Sequence, residues 1–461
     1  MLILLDNFFS PKNVAIIGAS RKKEKIGYII LENMILQKYE GTIYPINPHA
    51  DRILNHQVYS NIKDVPEPIE LAIISLRAPD VPKIVQKCGE KGVKGIIVVT
   101  GGFGETGSDT GLELENRINS IAHRYGMKVL GPNCIGIFDP YNHVNSFLVP
   151  RERTIGYPKK GNIAFLSQSG AILVTILEWC TYRGIGISKT CSYGNAINLN
   201  ESDLLEYLKQ DNHTKVIGMY IEGVRDGRRF YETLKDVNKE KPVVISKAGK
   251  TGAGAKATRS HTGSLAGANK SFTAMFKQTG VIRANDLEEL IDLCNCFVSQ
   301  PLPLGNKIGI VTNSGGHGVM AADALEQNKL SLAEFDSETL NQLYTLPPHC
   351  TPSNPVDLAA DADTKRYEWV TRLVLNDTQV DAGLVIIIPS GPKIELKTVE
   401  RLTKLITNSD KAVVTCLGST FKQFEKYKRI LEGNGIPVHT LPERAVRTLG
   451  ALVEYGQWIR H

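Results

Sequence analysis

The chain has 461 residues, of which 42% are hydrophobic and 22% are charged. At about 150 residues per domain this length predicts three domains, and the composition excludes disordered, collagenous and coiled-coil proteins. Lys and Arg residues number 54 against 48 Asp and Glu residues, a net charge of +6. This excess is too small for a dedicated nucleic-acid-binding protein, so we expect no nucleic-acid partner.

The sequence contains neither a recognisable secretory signal nor an apolar run of transmembrane length. Its apolar stretches, such as Gly383 to Pro389, are as long as strands, whereas a membrane span needs about 20 residues. The eight cysteines form no CxxC pair and have no histidine at ligand spacing. We therefore expect a cytoplasmic protein with reduced thiols, no membrane association and no metal site.

The first part of the chain alternates apolar strands with amphipathic helices. Five strand-like segments follow one another at βαβ spacing, namely Asn13 to Ser20, Gly41 to Pro48, Glu70 to Leu76, Val93 to Gly102 and Met127 to Asn133. Such strands form parallel sheets covered on both faces, and these sheets bind ligands beyond the carboxyl ends of their strands. The pattern predicts an α/β, Rossmann-like domain over residues 1–148.

The glycine turn after the first strand, Gly18 to Gly27, is typical of a phosphate-binding turn that opens a helix. The turn lacks the glycine spacing of a dinucleotide site, and Asn47-Pro48 stands where an acid would hold the ribose, so NAD is disfavoured. The basic run Arg21 to Lys23 suits a ligand with more phosphate, such as coenzyme A. The alternative is an ordinary turn with a solvated basic face.

The rest of the chain reads as two copies of one α/β unit, which predicts two flavodoxin-like, doubly wound domains over residues 160–300 and 303–461. The matching segments are Asn162–Ala171 with Lys307–Gly318, Lys215–Val224 with Ala382–Gly391, and Lys241–Gly249 with Lys411–Ser419. Only the first copy continues into Ser246–Gly267, which has five Gly, five Ala, four Lys or Arg and no acid.

His261 lies in this glycine-rich, cationic segment, next to Arg259, Ser260 and Thr262. A long loop of this composition can move with little strain, and an imidazole is a good nucleophile near neutral pH. These properties suit a histidine that accepts and carries a phosphoryl group. The alternative is a disordered surface loop with an incidental histidine.

Two strand-to-helix turns are candidates for a phosphate site because each presents glycine and hydroxyl or amide donors at a helix amino terminus. Their residues are Gln168, Ser169, Gly170 and Ala171 in the first copy, and Ser314, Gly315 and Gly316 in the second. A pseudo-twofold arrangement of the copies would aim both at one phosphate. Glu222 ends a strand of the first copy, where it could accept a hydrogen bond from His261. The alternative interpretation of Glu222 is a solvated acid at the end of a strand.

In this order, the motifs GAS, YPINP, GPNCIG, SQSGA, IEG, SHTGSLAG, TNSGGHG and NPVDL resemble the α subunit of ADP-forming (NDP-forming) acetyl-CoA and acyl-CoA synthetases, in the succinyl-CoA synthetase-like superfamily. The resemblance covers essentially the whole chain. It implies that His261 is phosphorylated, that Glu222 supports it, and that the two turns hold phosphate. Coenzyme A would be held by Gly18, Ala19, Ser20, Arg21, Lys22, Lys23, Asn47, Pro48, Ser75, Arg77, Pro79, Asn133 and Cys134.

The resemblance also implies a reversible reaction in which acyl-CoA, ADP and phosphate give the acid, ATP and CoA through an acyl phosphate and a phosphohistidine. The chain has no Walker A motif and no segment that reads as an ATP-grasp domain. ADP or ATP with Mg²⁺ is therefore expected mainly on an ATP-grasp β subunit, in an α2β2 heterotetramer. The substrate would be a small carboxylic acid or its acyl-CoA.

Three alternatives stay open from the sequence. A succinyl-CoA synthetase-like ligase is the nearest, and a panel of acids would separate it from an acetyl-CoA synthetase. A non-catalytic CoA-binding regulatory protein would have no need of the His261 segment. An NAD-dependent enzyme would bind NAD rather than CoA.

Overall fold

The computed structural model describes the backbone of residues 2–262, 269–418 and 424–461, and the side chains of residues 5–257, 269–418 and 424–461. Its contacts form two compact units, Met1–Ile291 and Asp292–His461. The first unit contains two large sheets, and the second contains one. The three domain boundaries inferred from the sequence remain a prediction.

The first sheet is wholly parallel, with strand order β2-β1-β5-β6-β7. Its helices and strands, with a small β3–β4 hairpin, are α1 (Leu2–Phe9), β1 (Asn13–Ile17), α2 (Ile26–Leu36), β2 (Thr42–Ile46), β3 (Arg52–Ile53), β4 (His56–Gln57), β5 (Leu71–Ile74), α3 (Val81–Lys91), β6 (Gly95–Val98), α4 (Asp109–Tyr125) and β7 (Lys128–Leu130). Short 3₁₀ turns cover Ile62–Asp64, Ala78–Asp80 and Gly104–Thr106.

The second sheet has the order β14-β13-β12-β10-β11-β8-β9, parallel except for its last two strands. Its elements are β8 (Gly136–Asp139), β9 (Val144–Asn145), β10 (Lys160–Ser167), α5 (Gly170–Arg183), β11 (Ile187–Ser192), α6 (Glu201–Gln210), β12 (Val216–Ile221), α7 (Gly227–Val237), β13 (Val243–Lys247), α8 (Gly252–Thr262), α9 (Asn269–Thr279), β14 (Ile282–Ala284) and α10 (Leu287–Ser299), with a 3₁₀ turn at Arg151–Arg153.

Strands β8 and β9 fall within the range predicted for the first domain, yet they hydrogen-bond into the second sheet. The two sheets of the first unit also share one core, in which Val14 and Ile16 of β1 belong to the same buried cluster as Ala164 and Leu166 of β10. Burial of apolar residues between the sheets therefore makes residues 1–291 a single unit.

The third sheet has the order β16-β15-β18-β19-β20, and β17 also pairs with β15. Its elements are β15 (Lys307–Thr312), α11 (Gly315–Gln327), β16 (Ser331–Leu332), α12 (Ser337–Leu343), β17 (Val356–Asp357), α13 (Thr364–Asn376), β18 (Ala382–Ile387), α14 (Leu396–Thr407), β19 (Ala412–Leu417), α15 (Phe424–Gly433), β20 (Val438–His439) and α16 (Pro442–Arg460). All its strand pairs are parallel.

The three sheets share one topology. Counting only its main parallel strands in chain order, each is arranged 2-1-3-4-5, which is the flavodoxin-like order of a doubly wound fold. The chain reverses direction across the sheet between the first and third of these strands, and ligands bind at such switch points. The switch points lie between β1 and β5, between β10 and β12, and between β15 and β18.

Candidate functional site

Two glycines lie at the switch point of the first sheet, where the backbone is packed too closely for any side chain. Gly18 has a φ of +94°, and a Cβ there would lie 2.8 Å from Ser75 Oγ. A Cβ on Gly27 would lie 2.0 Å from the carbonyl oxygen of Gly18. Helix α2 therefore begins directly against the turn after β1, which is the close approach that only glycine allows.

The amino end of α2 opens into a cavity of about 1030 Å³. No side chain caps this helix at Lys25, so its first main-chain N–H groups can meet an anion. The cavity is lined by the predicted CoA residues Gly18, Ala19, Ser20, Asn47, Pro48, Ser75 and Arg77, and also by Lys25, His49, Lys87 and Thr100. Cationic side chains and free N–H groups suit a ligand that carries several phosphates.

Asn47 shapes this cavity by bracing its turns. Its Nδ2 donates to the carbonyl of Ala19 at 2.7 Å, and its Oδ1 accepts from the N–H of His49 at 2.8 Å. Ser75 likewise joins β5 to the turn, since its N–H donates to the carbonyl of Ile17 at 3.0 Å. These bonds hold the loops after β1, β2 and β5 in one arrangement.

The remaining predicted CoA residues do not line the cavity. The side chains of Arg21, Lys22, Lys23, Pro79 and Asn133 are exposed. Cys134 is buried, its thiol donates to the carbonyl of Val98 at 3.4 Å, and burial raises its pKa to about 12. A thiol in this state is not a nucleophile at neutral pH.

At the switch point of the second sheet, Gln168 braces the end of the neighbouring strand. Its Oε1 accepts the N–H of Glu222 and, at 3.0 Å, that of Gly223. Ser169 caps helix α5 by accepting from the N–H of Ile172 at 3.4 Å. Gln168 and Ser169 therefore already have partners within the fold, and Ala171 is exposed.

The carboxylate of Glu222 lies in this switch point, and the residue is only 4% exposed. The hydroxyl of Tyr220, two residues earlier, hydrogen-bonds with it. Burial and the charge of Glu222 together raise the pKa of Tyr220 to about 12. Tyr220 is therefore a neutral donor that holds the carboxylate of Glu222 in place.

The strand next to β12 leads to His261. The backbone of His261 belongs to the last turn of α8, while its side chain lies outside the described residues, as do residues 263–268. The sequence predicts a loop here, but Gly252–Thr262 is helical. Thr251 accepts from the N–H of Gly254 at 3.1 Å, and the alanines that follow favour a helix.

Helix α8 lies beside the 3₁₀ turn Gly104–Thr106, where the sequence singles out no functional residue. Asn195 donates through Nδ2 to Glu105 at 2.5 Å and to Glu115 at 2.7 Å. Burial alone would raise the pKa of Glu105, but hydrogen bonds from Asn195 and from three main-chain N–H groups outweigh it and lower the pKa. These residues join the loops of the two sheets at the edge where α8 lies.

The third sheet has an equivalent switch point. Asn313 exchanges two hydrogen bonds with the backbone of Ile388, at 2.8 and 3.0 Å. Ser314 does not cap α11, and its hydroxyl contacts His317 Nδ1 at 2.9 Å instead. Gly315 and Gly316 are exposed. The turns at Gln168 and Ser314 belong to different units, so their convergence on one phosphate stays a prediction.

The described part of the chain contains no group of three or more His, Cys, Asp or Glu residues that could hold a metal ion. Within the same residues, no helix is both long and apolar enough to cross a membrane.

Three family models match the chain in succession. Residues 12–140 match a CoA binding domain, residues 160–297 a succinyl-CoA ligase like flavodoxin domain, and residues 308–460 a Ligase-CoA domain. The cavity described above lies within the first of these matches, and Gln168, Glu222 and His261 lie within the second.

Characterised relatives and a solved structure match the chain over almost its entire length. The α subunit of ADP-forming acetate–CoA ligase II of Pyrococcus furiosus is 40% identical, over 98% of both chains. ADP-forming acetate–CoA ligase I of Archaeoglobus fulgidus is 42% identical, and this chain spans 64% of its length. The dinucleotide forming acetyl-coenzyme A synthetase 1 of Ca. Korarchaeum cryptofilum, solved with phosphate and ADP, superposes with a TM-score of 0.91 at 33% identity, over 99% of this chain and 97% of that one. The chain therefore belongs to the family of the α subunits of ADP-forming acetate–CoA ligases.

Proposed function

We propose that the chain is the α subunit of an acyl-CoA ligase that interconverts acetyl-CoA, ADP and phosphate with acetate, ATP and CoA. The observation that carries the proposal is the buried Glu222 at the switch point of the second sheet. Strand β13 pairs with the strand that Glu222 follows, and it leads into α8 and His261. A protein that only bound CoA would need the first cavity but not this arrangement.

Coenzyme A occupies the cavity of the first sheet in this proposal. The free amino end of α2 and Lys25 would face its pyrophosphate, while Ser20, Asn47, Ser75 and Arg77 line the wall. Arg21, Lys22 and Lys23 lie on the surface next to this turn, where they would contact a projecting 3′-phosphate. Asn133 and Cys134 would lie farther along the ligand, toward its thiol end.

In the first step an oxygen of inorganic phosphate attacks the thioester carbonyl. The C–O bond of the acyl phosphate forms, the C–S bond breaks, and the thiolate takes the proton of the phosphate, which releases CoA. The turns at Gln168 to Ala171 and at Ser314 to Gly316 would bind the phosphate through helix amino ends. Fixed N–H dipoles stabilise the charge that develops in such a transfer.

In the second step a ring nitrogen of His261 attacks the phosphorus atom, and the bond to the carboxylate oxygen breaks, which releases acetate. The proton stays on the other ring nitrogen, and the carboxylate of Glu222 stabilises the imidazolium formed. Transfer to ADP then breaks the N–P bond and forms the new O–P bond of ATP.

ADP and its Mg²⁺ would bind on a partner chain. The name of the Pyrococcus furiosus relative, a subunit alpha, supports such a partner, and we propose an ATP-grasp β subunit in an α2β2 assembly. When bound, Mg²⁺ would neutralise the phosphate charges of the nucleotide. In this proposal His261 delivers its phosphoryl group to the ADP on that partner.

The alternatives differ from this proposal in measurable ways. A succinyl-CoA synthetase-like enzyme would prefer succinate to acetate, and a regulatory CoA-binding protein would bind CoA without turnover. The match over 98% of both chains to α subunits of ADP-forming acetate–CoA ligases supports acetate. An acid panel with acetate, propionate, branched and aryl acids would identify the acyl group.

The test is to incubate the chain with acetyl-CoA and radiolabelled phosphate, alone and with its partner subunit. The wild-type chain should acquire a label that is labile to acid and stable to base, and His261→Ala should acquire none and form no ATP. His123→Ala, on the exposed face of α4, is the matched control and should be labelled normally. Retained labelling of His261→Ala would exclude His261 as the phosphorylated residue.

A further inference from the structure

Lys247, the last residue of β13, is a buried cation that no part of the proposed reaction uses. The residue is 1% exposed, and within the described residues its ammonium group has no carboxylate partner in an ion pair. Its Nζ donates instead to the carbonyl oxygens of Glu222, at 2.9 Å, and of Ala248, at 2.5 Å. It also lies 4.8 Å from the centre of the Phe272 ring. A lysine so fully buried needs such partners to remain charged.

These three partners belong to three different segments. Glu222 follows β12, Ala248 begins the segment that carries α8 and His261, and Phe272 lies on α9, after that segment. Lys247 therefore contacts the main chain of Glu222, the start of the His261 segment, and helix α9, which follows that segment. Burial and the charge of Arg283 lower the pKa of Lys247, whereas Glu222 raises it.

Other cations near Lys247 also bind protein atoms, in the region where the His261 segment leaves β13. We call this region the base of the segment. Lys250 donates to the carbonyls of Ala284 and Asn285, at 3.2 and 2.5 Å, and Arg283 donates to Asn269 Oδ1 at 2.6 Å. Two of the four Lys and Arg residues of Ser246–Gly267, Lys247 and Lys250, thus bind carbonyl oxygens at the base of the segment. Charge-assisted hydrogen bonds to carbonyl and amide oxygens therefore hold the base of the segment in place.

We propose that Lys247 is a positioning residue that fixes the main chain of Glu222 relative to the base of the His261 segment, so that phosphorylation of His261 depends on its ammonium group. This inference rests on the proposed function. A misplacement of about 1 Å in such a site can reduce the rate about 100-fold. The CoA half of the reaction needs neither Glu222 nor His261 and should not depend on Lys247.

Lys241 provides a matched control because it lies two residues before the opposite end of β13. Its Nζ donates to the carbonyls of Leu208 and Asp211, both at 2.7 Å, and burial lowers its pKa as well. Like Lys247, Lys241 therefore donates to two main-chain carbonyls, but it does so at the edge of the sheet away from Glu222.

The experiment compares Lys247→Met with Lys241→Met in the chain assembled with its partner subunit. Two rates are measured, the phosphate-dependent exchange of labelled CoA into acetyl-CoA and the incorporation of radiolabelled phosphate at His261. We expect Lys247→Met to retain the exchange rate within about twofold and to lose about 10- to 100-fold in phosphorylation. Lys241→Met should retain both rates.

Methionine fills the space of lysine and packs against Phe272, so Lys247→Met should unfold at a temperature no lower than Lys241→Met. Phosphorylation at the wild-type rate, or a parallel loss of both rates, would overturn the inference. If Lys247→Met does not fold, Lys247→Arg provides the test. Arginine is larger than lysine and displaces the main chain of Glu222, so this variant must lose phosphorylation rate and keep the rate of CoA exchange. An unlabelled wild-type chain would instead refute the proposed function, so the two failures are distinguishable.

Discussion

The second and third sheets hold their switch points with the same kind of hydrogen bond, and they differ in the residue that this bond fixes and in the helix that follows the next strand. In both, a side-chain amide after the first parallel strand binds the backbone at the end of the third. Gln168 binds the N–H groups of Glu222 and Gly223, and Asn313 binds the N–H and carbonyl of Ile388. The amide brace thus belongs to the fold, since both sheets have it.

The difference lies in the residue that the amide braces. The first copy has a carboxylate at this position, Glu222, and the second has an apolar side chain, Ile388. Only the first copy continues from its next strand into a helix that carries a histidine. The two copies therefore share a switch point with a helix amino end, and only the first combines it with an acid and with a helix that carries a histidine.

The largest expected effect comes from removing the charge that distinguishes the copies. Glu222→Gln should slow phosphorylation of His261 about 100-fold, because a neutral amide cannot stabilise the imidazolium that forms. The measurement is the rate of radiolabelled phosphate incorporation in the chain assembled with its partner. Ile388→Val is the matched change in the other copy and should leave that rate within about twofold. Equal losses in both variants would contradict the functional distinction between the copies.

The amide braces should matter to stability in both copies. Asn313→Leu removes the partners of the Ile388 N–H and carbonyl and should cost about 1–3 kcal/mol of unfolding free energy, because Asn313 is buried. Gln168→Leu should cost less than this, since Gln168 is half-buried, but it should also slow phosphorylation by releasing Glu222. Denaturant unfolding and the labelling rate measure the two effects. A Gln168→Leu variant with unchanged labelling would show that Glu222 needs no brace.

The smallest effect concerns the serines at the amino ends of α5 and α11. Ser169→Ala removes the cap of α5 and should cost about 0.5–1 kcal/mol. Ser314→Ala should cost less, because Ser314 makes no capping hydrogen bond in α11 and contacts His317 instead. Thermal unfolding of the two variants would rank them. A greater loss in Ser314→Ala would mean that its contact with His317 stabilises the turn more than a cap does.

Much of the fold and part of the site could be predicted from the sequence. The apolar runs and their spacing predict parallel sheets, and glycine turns such as that at Gly18 mark the edge where ligands bind. The residues that line the cavity of the first sheet follow the carboxyl ends of β1, β2 and β5, so strand assignment alone brings most of them together. Arg21, Lys22 and Lys23 are expected in the CoA site but do not line the cavity. The sequence could not predict this, because a charged residue in a sequence does not reveal which way its side chain points.

The chain's sequence by itself determined its class, its three strand-helix repeats and its family, because apolar periodicity and short motifs are local properties of a chain. Only the tertiary structure decided that β8 and β9 join the second sheet, that residues 252–262 form a helix beside Gly104–Thr106, and that Lys247 holds Glu222 by its backbone. Each of these depends on which segments meet across the fold. A lysine that binds the carbonyl of a residue 25 positions away looks, in the sequence, the same as one that faces solvent.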